Sequence, residues 1–192
     1  YEIKECDWSS DVCSSDLPDM SLVVLVGVSG SGKSTFAKKH FLPTEVLSSD
    51  YFRAMVSDDE NNQEATQEAF DALHFLASKR LSLGKVTIID ATNVQQKARK
   101  PLLELAKAHH VLPIAIVLNI PAKTCIERNK TRTDRSIHPA VVHHQQADLR
   151  HAISHLKEEG FRSVWVLEGE EEIASVTMER QKLWCNQIGR AH

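Results

Sequence analysis

An apolar, β-branched run, Ser21–Val26, leads straight into Gly27-Val28-Ser29-Gly30-Ser31-Gly32-Lys33-Ser34-Thr35, which fits G-x-x-x-x-G-K-[ST]. No other stretch of the chain restricts its fold so strongly. The pattern also arises by chance, but a buried strand before it and a helix start after it are the context that gives it meaning. Gly27, Gly30 and Gly32 can adopt backbone conformations closed to other residues, so the N–H groups of the bend, those of Ser29 and Ser31 included, can point into one concavity. A helix opening at Lys33 adds partial positive charge at the same spot. Lys33 then offers a mobile ammonium to the β- and γ-phosphates of a nucleotide, and Ser34 a hydroxyl ligand for Mg²⁺. Thr35 completes the motif and reads as a helix-packing residue. ATP and magnesium are the expected ligands.

The rest of the chain alternates in the same style. Short apolar runs at Glu45–Ser49, Lys85–Asp90, Val111–Leu118 and Ser163–Leu167 read as further strands. Helices are expected from Lys33 to about His40 and from Ala65 to Leu83, where Phe70, Leu73, Leu76, Ala77 and Leu81 keep helical spacing and Gly84 closes the turn. Two more are expected from about Gln95 to Ala108 and from about Pro139 to Glu158, and Pro121 fits the first turn of another. The expected fold is therefore α/β: a mostly parallel sheet of about five strands, helices on both faces, and an arginine-rich lid. With 192 residues there is room for one such core. The run Leu22–Val26 is far too short to cross a bilayer. Four scattered cysteines, Cys6, Cys13, Cys125 and Cys185, form no C-x-x-C pair, which points to a reducing cytoplasm. A formal net charge of −3 excludes a protein that coats nucleic acid, so any strand contact must be local.

A phosphate loop does not name a reaction; the other strand ends do. Asp50 follows the second strand in Leu47-Ser48-Ser49-Asp50-Tyr51-Phe52-Arg53, where it could cap a helix or accept the proton of an attacking hydroxyl. Arg53 lies one helical turn on, shares its face, and could hold an anionic acceptor. Asp90 ends the third strand, where an acidic group commonly sits near the metal through water. Sequence alone leaves open which of Asp50 and Asp90 is the base. Arg128, Arg132 and Arg135 fall at i, i+4 and i+7, so a continuing helix would line up all three guanidiniums as a lid over the phosphates.

Taken together, Gly27–Thr35, Ser-Ser-Asp50-x-x-Arg53, Val56-Ser-Asp-Asp-Glu-Asn61, Asp90-Ala-Thr-Asn93 and Glu127-Arg-Asn-Lys-x-Arg-Thr-Asp-Arg135 resemble the kinase module of bacterial polynucleotide kinase–phosphatase. The resemblance covers about Ser21 to Asn186. It implies a 5′-hydroxyl kinase acting on RNA or DNA ends in nucleic-acid repair, with Lys33 and Ser34 on phosphates and metal and Asp50 as general base. It gives Arg53 the acceptor's phosphate, and Arg128, Arg132 and Arg135 the lid. It further implies phosphatase and ligase-like modules downstream in the full-length protein. A homo-oligomer is compatible with all of this.

Two rival readings share the same parts. Gluconate, shikimate and nucleotide kinases would need an acceptor pocket for a sugar, acid or base, whereas a nucleotide-dependent switch would need no base for a hydroxyl. Residues 1–17 repeat Ser-Ser-Asp around Cys13 without periodicity and read as a non-native or disordered leader. Residues 184–192 read as the start of a linker followed by an adapter-like Ile-Gly-Arg-Ala-His tail, leaving 18–183 as the expected domain. Ten histidines invite a metal, but they lack the acidic or cysteine partners of a zinc set and read as solvated.

Overall fold

The computed structural model describes residues 14–132 and 137–181. Its centre is a five-stranded, wholly parallel sheet built from β2 (Ser21–Gly27), β3 (Val46–Ser48), β4 (Thr87–Asp90), β5 (Leu112–Asn119) and β6 (Ser163–Glu168). The spatial order is β3-β4-β2-β5-β6, which puts the strand feeding the glycine bend in the middle. Every residue of β2 is buried, as expected of a strand covered on both faces. Its side chains alternate. Leu22, Val24 and Val26 enter one core with α3 (Thr66–Ser82), α4 (Gln96–Ala108) and α6 (Pro139–Glu159), while Val23 and Leu25 enter a second with Phe36 and Ala37 of α1 (Lys33–His40). Among the described residues the remaining α-helices are α2 (Ser49–Ser57), α5 (Ala122–Lys130) and α7 (Gly169–Ser175), with one 3-10 turn at Gln63–Ala65.

Several expectations need correction. The domain edge expected at residue 18 falls inside a strand, β1 (Ser14–Pro18), which pairs in parallel with β7 (Thr177–Gln181), and Leu17 is fully buried in the second core. Neither β1 nor β7 carries an apolar alternation that local sequence could signal, and α7 is short and acidic. The two strands become regular by pairing with each other, with Leu17 and Val176 packed into the second core, and α7 by packing on β5 and β6. Asp50 was expected at an N-cap, but the cap position is Ser48 and Asp50 sits inside the first turn of α2. On α3 the inward residues are Ala69, Leu73, Ala77 and Leu81, whereas Leu76 is 39% exposed, so the buried stripe follows strict i, i+4 spacing. Residues 1–13 and 184–192, with Arg135, lie outside the described residues.

His40 and His74 each bury a ring Nε2 that finds no hydrogen-bond partner among the described residues. Burial pushes both below the usual 6.5; Lys39 adds to this at His40, and Asp71 opposes it at His74. The unfolded chain then takes up protons more readily than the folded one. Stability should be complete above pH 6.5 and decline as the pH falls from there through the lowered folded values. Thermal melts at pH 7.5 and 5.5 check this, and His74→Leu is expected to shrink the difference.

Candidate active site

The carboxyl ends of β2, β3 and β4 meet at a cavity of about 640 Å³. Ser29, Gly30, Ser31, Gly32, Lys33, Ser34 and Thr35 form its floor; Asp50 and Arg53 come from α2, Asp90 from the end of β4, and Arg128 and Arg132 from α5 and the residues after it. Gly27 supports the bend from beneath, its N–H donating to the Thr92 carbonyl at 3.1 Å. Thus all the anticipated site residues that the structure describes converge on one place. Thr35, anticipated as a packing residue, is instead exposed on the cavity wall.

The bend is held from several sides. Lys33 is buried, and its Nζ donates to the carbonyls of Gly27 and Val28, both at 2.9 Å. The backbone at Gly30 (φ 86) and Gly32 (φ 94) is left-handed, a region glycine enters without strain. A methyl group on Gly30 would also lie 2.6 Å from the Cys125 carbonyl and 2.9 Å from Asn129 Nδ2. Helix α5 therefore packs directly on the loop, and Asn129 Nδ2 donates to the Ser29 carbonyl at 2.9 Å. Gly30→Ala is expected to lower the melting temperature and abolish nucleotide binding together, as read by a melt and a titration with a fluorescent ATP analogue.

Asp90 is buried, and desolvation raises its pKa. A hydrogen bond from the Ser34 hydroxyl and the charge of Lys33 oppose that rise, while the carboxylate of Asp50 adds to it. Ser34 and Asp90 thus bring two oxygen donors together beside the phosphate loop, the donor chemistry a hard divalent cation takes. Across the cavity, Asp50 Oδ1 accepts from Arg53 Nη1 at 2.5 Å, and the same Nη1 donates to the Glu60 carbonyl at 2.9 Å. Arg53 is only 6% exposed, so the loop after α2 helps to fix it at the site.

Arg128 and Arg132 do not share the expected continuous helix. Helix α5 ends at Lys130, and Arg132 lies beyond it, still lining the cavity. Arg128 Nη1 donates to the Gly30 carbonyl at 3.4 Å, and its Nη2 pairs with Glu170 of α7 at 3.1 Å. Both partners of that pair are well exposed, so it contributes little to stability. Sequence reasoning missed four contributors: Asn129, the α6 residue Gln145 whose Oε1 accepts from the Ser29 N–H at 2.9 Å, Glu170, and Lys39, whose Nζ ties α1 to the Ala174 carbonyl at 2.6 Å. Asn129 stood within a quoted motif and carried a usable signal. The others depend on α6 and α7 folding back over the loop.

A strand, a glycine bend and a helix around a lysine-bearing cradle, with acidic strand ends opposite, define the fold and site of a P-loop kinase. A profile of the AAA_33 family, described as an AAA domain, matches residues 22–154, more than half of the chain, and the chain belongs to that family. No curated protein sequence matches it significantly. Among solved structures it is similar to a chain of the Pnkp1/Rnl/Hen1 RNA repair complex (TM-score 0.61, 21% identity, 78% of this chain and 48% of that one). It is also similar to a sugar kinase from a Janibacter species (TM-score 0.51, 22% identity, 77% and 84% of the two chains). A gluconokinase from Sinorhizobium meliloti is similar as well (TM-score 0.50, 16% identity, 83% and 89%). The chain spans about half the length of the RNA-repair protein it matches. At these identities the likeness is one of fold. Among the described residues, no helix is long and apolar enough to cross a membrane.

Proposed function

We propose that this chain transfers the γ-phosphate of ATP to the 5′-hydroxyl end of RNA or DNA. The observation that carries the reading is that Asp50 and Arg53 share one cavity with the phosphate loop. In this reading the Asp50 carboxylate accepts the proton of the incoming hydroxyl, which makes the oxygen a better nucleophile toward the terminal phosphorus. Arg53, beside it, holds the acceptor's nearest phosphate. Lys33 and the N–H groups of residues 29–35 grip the β- and γ-phosphates, and Arg128, Arg132 and Arg135 neutralise charge as it moves toward the leaving oxygen. Magnesium, when bound, shields the phosphate oxygens; Ser34 would hold it directly and Asp90 through water.

The set Asp50-x-x-Arg53, the Asp90-Ala-Thr-Asn93 turn and the arginine-bearing segment together support the polynucleotide acceptor, as does the likeness to the RNA-repair chain. The same reading expects phosphatase and ligase-like partners for the full protein. The sugar kinase and gluconokinase similarities favour a second reading, a small-metabolite kinase, because both span most of the chains compared. Radiolabel transfer from ATP to matched 5′-hydroxyl RNA and DNA oligomers, run beside a panel of sugars, sugar acids and nucleosides, separates the two. Label on strand ends is the expected result; label on a metabolite with none on strands would replace the first reading by the second.

A further inference from the structure

Behind the cavity lies a buried polar group that the reading above does not use. Arg99, in the first turn of α4, is 1% exposed. Its Nε and Nη2 donate to the two carboxylate oxygens of Glu159, in the last turn of α6, at 2.7 and 2.5 Å. Its Nη1 points the other way and donates to the Asn93 carbonyl at 2.7 Å. Asn93 is held in a left-handed conformation (φ 50), and its Nδ2 donates to the Leu25 carbonyl within β2 at 2.9 Å. Thr92, one residue earlier, accepts from the Gly27 N–H.

The register explains why this matters. Leu25 opposite Asp90 is the last pair between β2 and β4. Past that point the turn Ala91–Asn93 takes over, supplying partners to β2 up to the first residue of the phosphate loop. Asn93 tolerates φ 50 better than other non-glycine residues, at a modest cost, and its side chain already anchors the turn to Leu25, but its carbonyl is left for an outside donor to fix. Arg99 is that donor. A buried ion pair is a poor way merely to fasten α4 to α6, because two apolar side chains of similar size would do as well without the desolvation cost. What an apolar pair could not do is fix the Asn93 carbonyl.

We infer that Arg99 and Glu159 are a positioning pair that sets the Asp90–Asn93 turn and, through it, the Asp90 carboxylate. The inference rests on the kinase reading of the cavity and deepens it. Its test compares the wild type with Arg99→Lys, Glu159→Gln and the apolar double variant Arg99→Met/Glu159→Leu. Each is melted and then titrated with a fluorescent ATP analogue across a magnesium series, well below its melting temperature. The expected result is a double variant that melts within a few degrees of wild type yet needs about 10–100-fold more magnesium for nucleotide binding, the scale on which supporting partners of metal sites act. Arg99→Lys should show the same shift, with metal-free nucleotide binding nearly unchanged. Variants that lose only melting temperature, with wild-type magnesium dependence in the folded protein, would overturn the inference and leave the kinase reading standing. A wild type that binds no nucleotide would overturn both.

Discussion

Replacing Asp50 with alanine is expected to slow phosphoryl transfer by roughly 10²–10⁴-fold, the range a positioned general base supplies, while nucleotide affinity stays near its original value. Asp50 is also the partner of the buried Arg53 guanidinium, so the alanine variant removes a contact as well as a base. Asp50→Asn separates the two effects: its amide oxygen can still accept from Arg53, but the side chain can no longer take a proton. On the proposed mechanism both variants lose the same rate, and only the alanine variant loses stability to match. Single-turnover transfer to whichever acceptor takes label in the radiolabel assay, paired with thermal melts, reads both quantities. An asparagine variant that turns over at the wild-type rate would move the base to Asp90.

Lys33→Met is expected to have the second large effect, a loss of roughly 10²–10³-fold in transfer, comparable to removing one preorganised donor from a developing charge. Unlike the Asp50 variants, it should also weaken nucleotide binding, because the ammonium acts on phosphates in the ground state too. The buried Nζ spans the Gly27 and Val28 carbonyls, so its removal leaves two loop oxygens without that donor and lets the bend relax. Arginine is a poor substitute, since a planar fork does not fit where a compact point charge sits between two carbonyls. Titration with the fluorescent analogue and single-turnover transfer, compared with the Asp50 variants, give the contrast. A methionine variant with intact binding and rate would remove Lys33 from the site.

The parts of the site that were legible in the sequence are those whose chemistry is contiguous. The bend from Gly27 to Thr35 carries its glycines, its cation and its hydroxyl within one turn of chain, so local spacing alone describes it. Asp90 was legible for a related reason, because a strand end in a parallel sheet is a fixed place relative to the central strand. Asp50 was placed at the right strand end but two positions off in its helix, since Ser48 and Asp50 are both acceptable near a helix start and only the folded backbone chooses. The shared helical face expected for Arg128 and Arg132 did not form, because helical spacing was extended past Lys130, where α5 stops.

Contacts between distant segments were not legible. Glu170 reaches Arg128, Gln145 reaches Ser29, and Leu17 fills a core beside Val176, yet none of these residues stands out in its own neighbourhood of the chain. Arg99 is the clearest case: an arginine in a basic, exposed-looking helix start turned out to be among the most buried side chains, because Glu159 meets it from sixty residues away.

By itself, then, the sequence determined the sheet class, the phosphate cradle and the strand ends that carry its acids, because hydrophobic period and glycine geometry act over a few residues. Tertiary structure alone decided which helix covers the loop, where the arginines come to rest and what braces the Asp90 turn. Those choices depend on partners far along the chain, and a partner's place is set only when the whole sheet has closed.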